Sequence, residues 1–128
     1  MDAIPLIAAG IELLESGYVV EWTPSRETAS GTITMPYPRY DSRLLEALSS
    51  ASQLVGTDFD YVSYVDEVAG LNVKEMSRAN LSTFLTWVQR SERFCDGAID
   101  GFVQDGRVLQ ALRRAIELGS NAGARPMS

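Results

Sequence analysis

The stretch RANLSTFLTWVQRSERFC, residues 78–95, has the strongest helical pattern in this sequence. Its apolar residues recur every three or four positions and share one broad arc of a helical wheel, which is typical of a helix with one buried face. This arc contains Leu81, Phe84, Leu85, Trp87, Val88, Phe94 and Cys95. We predict that this is the longest helix, that Cys95 is buried as a small apolar residue, and that Gly97 ends the helix.

The sequence on both sides predicts further helices. Downstream, we expect a helix over 98–105 that ends at Gly106 and a helix over 107–118 that ends at Gly119. Upstream, we expect a helix over 3–16, a helix over 42–55 that Asp41 caps, and a helix that Thr57 or Asp58 caps and Gly70 ends. The last two are predicted to pack together as a helical hairpin. The pattern-free residues 120–128 are predicted to form a flexible tail after a single globular domain over 1–119.

Two short strands are predicted between the first two helices. Apolar and polar residues alternate over 18–22 and 32–35, and we expect these segments to pair with each other. The following segment MPYPRY, residues 35–40, contains two prolines and is predicted to be a stiff connector. The sequence thus predicts a mainly helical α+β domain with five or six helices and a two-stranded antiparallel hairpin.

Composition excludes several classes of function. With no histidine and one cysteine in 128 residues, the chain has no intramolecular disulfide, no imidazole or cysteine-rich zinc site, and no histidine base. No apolar stretch approaches the roughly 20 residues of a membrane span, and the chain starts without a basic leader, so we expect a cytoplasmic protein with no membrane partner. The net charge of −6 disfavours nucleic acid as a partner.

Glu92 is the first candidate functional residue, because the helical wheel places it inside the apolar arc. A buried carboxylate needs a hydrogen-bonding or charged partner. One interpretation is a structural ion pair with an arginine such as Arg107 or Arg113, and a second is a pocket carboxylate that acts as an acid or base. A third is that the wheel is misplaced at a frayed helix end.

Carboxylates and aromatic residues mark two more candidate places. Asp58 and Asp60, followed by Asp66 and Glu67, could hold a hard cation, but acids near a helix start are also favoured without any metal. We therefore predict no metal and no cofactor. The tryptophan and tyrosines of the middle of the chain are core residues or line a groove for a partner.

Trp22 at the end of the first predicted strand and the motifs MPYPRY, DFDY and RSERFCDG resemble those of a family of small bacterial and phage-borne domains of unknown function. The resemblance spans most of the chain and departs from the family at Tyr61 and Tyr64, where tryptophans are expected. It implies a complete fold unit but no activity.

Three functional hypotheses follow. The first is a non-enzymatic interaction or regulatory module that binds a protein or small ligand, near the MPYPRY segment and the RSERF helix. The second is a small acid–base or metal-assisted enzyme using Asp58, Asp60 and Glu92, and the third is nucleic-acid binding through the C-terminal arginines. The sequence is compatible with a homo-oligomer. The candidate ligand-binding residues are Trp22, Tyr37, Tyr40, Asp58, Asp60, Tyr61, Arg90, Glu92 and Arg93.

Overall fold

The computed structural model describes residues 3–124, and at residues 26, 34 and 120–124 it describes the backbone alone. These residues form six α-helices: α1 Ala3–Glu15, α2 Ser42–Val55, α3 Tyr61–Ala69, α4 Arg78–Ser91, α5 Ala98–Gln104 and α6 Arg107–Ala124. Four short strands lie between α1 and α2: β1 Glu21–Thr23, β2 Arg26–Glu27, β3 Ile33–Thr34 and β4 Tyr37–Arg39. A short 3₁₀ helix, Val73–Glu75, precedes α4. The predicted fold class, a mainly helical α+β domain, is confirmed.

The strands, with Tyr40 directly after them, form an antiparallel arm, residues 21–40, whose pairing differs from the prediction. β1 pairs with β4, so that Trp22 lies opposite Pro38, and β2 pairs with β3. The predicted pairing of 18–22 with 32–35 is therefore wrong, and part of the predicted connector MPYPRY is a strand. Pro38 has no N–H to donate, but it fits here because a strand with a single neighbour leaves alternate N–H groups outside the ladder.

The core lies where α1, α2, α4 and α6 meet. α1 lies so close to α2 at Gly10 that a Cβ atom there would be only 2.3 Å from the Ala47 Cβ atom. Each fully buried aliphatic or aromatic side chain stabilises the fold by roughly 1.5–3 kcal/mol. The largest fully buried residues include Ile7, Leu44, Leu48, Leu81, Phe84, Leu85 and Leu112.

The capping of α2 follows the prediction, whereas the packing of α3 does not. The Asp41 carboxylate accepts a hydrogen bond from the Arg43 backbone N–H at 2.9 Å and two from its guanidinium. These bonds lower the pKa of Asp41 to about 2, and those from the guanidinium have the largest effect. α3 packs on α4 rather than on α2, so the predicted helical hairpin is wrong. The chain leaves α2 at Gly56, whose φ of +101° turns the following loop toward α4.

Helices α4 and α6 end at positions other than the predicted ones. α4 ends at Ser91, and the predicted burial of Phe94 and Cys95 is wrong, since both are exposed. α6, with 18 residues, is the longest helix and continues past Gly119 to Ala124. A Cβ on Gly119 would lie 2.5 Å from Cδ2 of Leu54, so this glycine permits close packing against α2 and does not end the helix.

Residues 125–128 of the predicted tail lie outside the described part of the chain. Within residues 3–124, no helix combines the length and apolar composition needed to cross a membrane.

Candidate functional site

Glu92 joins the end of α4 to the start of α5 and to the arm. Its Oε1 accepts hydrogen bonds from the Tyr40 hydroxyl at 2.8 Å and from the Ile99 backbone N–H at 2.9 Å. Its Oε2 accepts from the Gly97 N–H at 2.8 Å. The carboxylate therefore satisfies N–H groups at the start of a helix, where a negative charge is also favourable.

The predicted hydrogen bonding of Glu92 is confirmed, but the predicted arginine partner is wrong. Arg107 pairs with Asp105 at 2.9 Å, and Arg113 pairs with Glu15. The helical wheel places Glu92 correctly only if the helix continues past residue 92, whereas Glu92 lies one residue beyond the last residue of α4. The turn that follows brings its carboxylate to α5.

Two aromatic residues of the arm region complete this arrangement. The Tyr40 hydroxyl accepts a hydrogen bond from the Asp100 N–H at 3.2 Å. Burial and the bond to Glu92 raise the pKa of Tyr40 above its ordinary value. The Trp22 indole N–H donates to the buried Asp100 carboxylate at 2.9 Å. A Cβ on Gly97, whose φ is +95°, would be 2.6 Å from the Trp22 ring.

We call Trp22, Tyr40, Glu92, Gly97 and Asp100 the corner junction. Their polar groups satisfy one another, so three predicted ligand residues have a structural role here. Tyr37, another predicted ligand residue, lies exposed on β4, and its register partner on β1 is Thr23 rather than a residue of the junction.

The carboxylates of the DFDY motif hold the loop between α2 and α3. Asp58 Oδ2 accepts from the Thr83 hydroxyl at 2.6 Å, and the Asp58 N–H donates to Thr86 Oγ1 at 3.0 Å. Asp58 Oδ1 accepts from the Asp60 N–H at 2.9 Å, and Asp60 Oδ1 accepts from the Ser63 hydroxyl at 2.9 Å. The structure thus gives Asp58 a loop-anchoring role in place of the predicted helix cap.

The carboxylates of residues 3–124 form no group that could hold a metal ion.

The same loop places two aromatic rings beside Arg90. The guanidinium carbon of Arg90 lies 5.7 Å from the centre of the Phe59 ring and 5.9 Å from that of Tyr61. Contacts of this kind contribute about 0.5–1 kcal/mol at exposed sites and restrict the arginine side chain. Arg90 is therefore positioned by the DFDY motif, although no carboxylate contacts it.

Arg90 and Arg93 line one pocket of about 260 Å³ between α2 and the C-terminal half of α4. All of its other lining residues carry hydroxyl or amide side chains, and none carries a carboxylate. We call this the arginine pocket, and its lining residues are Ser49, Ser52, Gln53, Thr57, Thr86, Gln89, Arg90 and Arg93.

Among arginines with described side chains, Arg90 and Arg93 differ from the rest, because neither has a hydrogen bond or ion pair to another side chain or carbonyl. The others are engaged: Arg39, Arg43, Arg107, Arg113 and Arg114 each pair with a carboxylate, and Arg78 donates to the Leu54 carbonyl. The arginines of α6 considered for nucleic-acid binding are thus already paired.

The sequence identified the two arginines of this pocket but not its polar wall. Serine and glutamine on an amphipathic helix look like ordinary solvent-exposed residues, and only the packing of α2 beside α4 brings them around Arg90 and Arg93. The predicted carboxylates do not join them, since Glu92 belongs to the corner junction and Asp58 and Asp60 to the loop. Tyr61 contacts Arg90 but is not among the lining residues.

The model of a family of unknown function (DUF6508) matches residues 4–121 of the chain. This match confirms the resemblance to a family of unknown function. No curated protein and no solved structure matches.

Proposed function

The chain belongs to the family of unknown function DUF6508, and we propose from its geometry that it is a non-enzymatic binding module that takes a small anionic ligand in the arginine pocket. The observation that carries the proposal is that two arginines without a carboxylate partner line one polar pocket. A guanidinium presents several donors in a planar fork that matches carboxylate and phosphate oxygens.

The position of the two arginines supports an anion as the ligand. Arg90 and Arg93 are three residues apart in one turn, where the Arg93 N–H donates to the Arg90 carbonyl at 3.1 Å. Two positive charges that line one pocket repel each other. The chain is acidic overall, with a net charge of −6, yet no acid lines this pocket. An anion would relieve the repulsion.

The positions of the carboxylates favour binding over acid–base catalysis. The acids of the enzyme hypothesis are Asp58, Asp60 and Glu92. Asp58 and Asp60 accept hydrogen bonds in the loop, and Glu92 accepts them in the corner junction. A general acid or base must reach the substrate within hydrogen-bonding distance. Since none of the three lines the arginine pocket, a ligand held by Arg90 and Arg93 would have no carboxylate beside it.

The experiment is a titration of ¹⁵N-labelled protein with inorganic phosphate at low ionic strength, followed by amide chemical shifts. We expect saturable shifts at residues 49–57 and 86–93. Arg93→Gln should weaken binding by about tenfold or more, because a hydrogen bond to a charged group contributes roughly 1.5–3 kcal/mol. Arg93 is exposed and unpaired, so this variant should fold normally.

The matched control is Arg39→Gln, which makes the same charge change on the arm, where Arg39 forms an exposed pair with Glu21 at 3.8 Å. We expect its phosphate affinity to stay within about twofold of the wild-type value, because exposed pairs act weakly at a distance. Equal losses in the two variants would show general charge attraction and refute the site. The absence of saturable binding would also refute it.

A further inference from the structure

The arginine pocket contains hydrogen-bonding groups, besides its two arginines, that a ligand can contact. Gln89 Nε2 donates to Ser52 Oγ at 2.7 Å and to the Leu85 carbonyl at 3.1 Å. Because these bonds use the amide nitrogen, its Oε1 atom is left as an acceptor. Gln53 and Thr57 also line the pocket, and their side chains have no partner within the described structure.

These groups suit a ligand that donates hydrogen bonds as well as accepting them. An anion such as sulfate accepts only, and it would lie against the free acceptor of Gln89. A ligand ammonium would donate, but Arg90 and Arg93 would repel it. A hydroxyl group both donates and accepts without charge, so it suits amide and hydroxyl walls.

The charge and size of the pocket restrict the chemical class of the ligand further. Two arginines can balance two negative charges, and a phosphate monoester carries about −1.5 to −2 at neutral pH on three acceptor oxygens. The volume of about 260 Å³ lies below the roughly 300–1,000 Å³ that is typical of pockets for drug-sized ligands. The part of the ligand that the pocket holds is therefore compact.

We propose that the arginine pocket binds a small phosphate monoester that carries hydroxyl groups, that is, a phosphorylated polyol. Arg90 and Arg93 contact the phosphate, and Gln53, Thr57 and Gln89 contact the hydroxyls. This inference rests on the proposed function, because it assigns the ligand of the same pocket.

The test compares four probes by isothermal titration calorimetry on the full chain: inorganic phosphate, glycerol 3-phosphate, propyl phosphate and glycerol. Propyl phosphate has the charge of glycerol 3-phosphate without its hydroxyls. We expect glycerol 3-phosphate to bind about tenfold more tightly than propyl phosphate, as two net hydrogen bonds would give. Glycerol alone should not bind measurably.

Two conservative variants locate the hydroxyl contacts. Gln53→Met and Thr57→Val remove polar groups at exposed positions while nearly preserving side-chain volume. We expect each to reduce the preference for glycerol 3-phosphate over propyl phosphate by about threefold or more and to leave the affinity for inorganic phosphate unchanged. Gln110→Met, the same substitution on α6 outside the pocket, should leave all affinities unchanged.

The outcomes separate the two proposals. If propyl phosphate binds as tightly as glycerol 3-phosphate, and both depend on Arg93, the polyol inference is overturned while the anion site stands. A preference for glycerol 3-phosphate that survives in both Gln53→Met and Thr57→Val would also overturn the inference. If no phosphate compound binds, both proposals are overturned.

Discussion

Replacing Glu92 by glutamine removes a charged acceptor that three donors share. The carboxylate accepts from the Tyr40 hydroxyl and from the backbone N–H groups of Gly97 and Ile99, all within 2.9 Å. Glutamine offers one acceptor oxygen, and its amide NH₂ group must face at least one of these donors. With one hydrogen bond lost and the others no longer charge-assisted, the free energy of unfolding should fall by about 2–4 kcal/mol.

Equilibrium urea unfolding measures this loss, and two tryptophans report on different regions. Trp22 lies in the corner junction, whereas Trp87 packs edge-on against Phe102 in the core, with 5.0 Å between ring centres. Coincident transitions by fluorescence and by far-ultraviolet circular dichroism would establish two-state unfolding. The m-value should stay the same, because a change in stability without a change in exposed surface shifts the midpoint alone.

The matched control lies in the same turn. Arg93→Gln also removes one charge, of the opposite sign to that removed by Glu92→Gln. Because Arg93 is exposed and has no side-chain partner, the stability of this variant should stay within about 0.5 kcal/mol of the wild-type value. The reasoning is refuted if Glu92→Gln also stays within about 0.5 kcal/mol. It is equally refuted if both variants lose stability by the same amount.

Four further predictions concern stability. Gly106→Ala should cost about 1–2 kcal/mol, because φ is +85° there with no atom near the new Cβ. Gly97→Ala should cost at least about 1 kcal/mol more in urea unfolding, because its Cβ would overlap the Trp22 ring; equal costs would contradict this contact. Because folding raises the pKa of Tyr40, the stability that this hydroxyl contributes is complete below about pH 10 and is lost at higher pH. The stability of Tyr40→Phe should therefore fall less steeply than that of the wild type as the pH is raised above about 10. Because folding lowers the pKa of Asp41 to about 2, the stability advantage of the wild type over Asp41→Asn should be constant above about pH 4 and disappear toward pH 2 in thermal unfolding; an advantage independent of pH would contradict this assignment.

Local patterns predicted the helices well, because a helix depends on neighbours three and four residues away. α2 occupies residues 42–55 as expected, with the Asp41 cap before it and Gly56 after it. The end of α4 could not be found in this way, since Glu92 directly after it is bonded to Tyr40, 52 residues earlier, and no local pattern contains that contact. The strand pairing was missed for the same reason, because register depends on contacts outside the strands.

The candidate site was only partly predictable, because structural and functional polar residues follow the same pattern in a sequence. Glu92 was chosen as a carboxylate inside the apolar arc, and Trp22 and Tyr40 as aromatic residues of the middle of the chain. The structure bonds Tyr40 to Glu92 and connects Trp22 to both through Asp100. Arg90 and Arg93 were chosen from the same motif, yet their side chains have no such partner. What separates the two groups is whether the fold itself satisfies the polar atoms, and three-dimensional contacts alone reveal this.

The turn that contains Arg90, Glu92 and Arg93 connects the two roles. Glu92 is bonded to backbone groups of α5 and to the arm, so the position of the turn is fixed before any ligand arrives. The rings of Phe59 and Tyr61 restrict the Arg90 side chain from the other side. A site whose cations are already positioned loses less conformational entropy on binding than one that must order them. On this argument, the corner junction supports the proposed anion site without touching the ligand, which explains why one short motif contains both structural and ligand-facing residues.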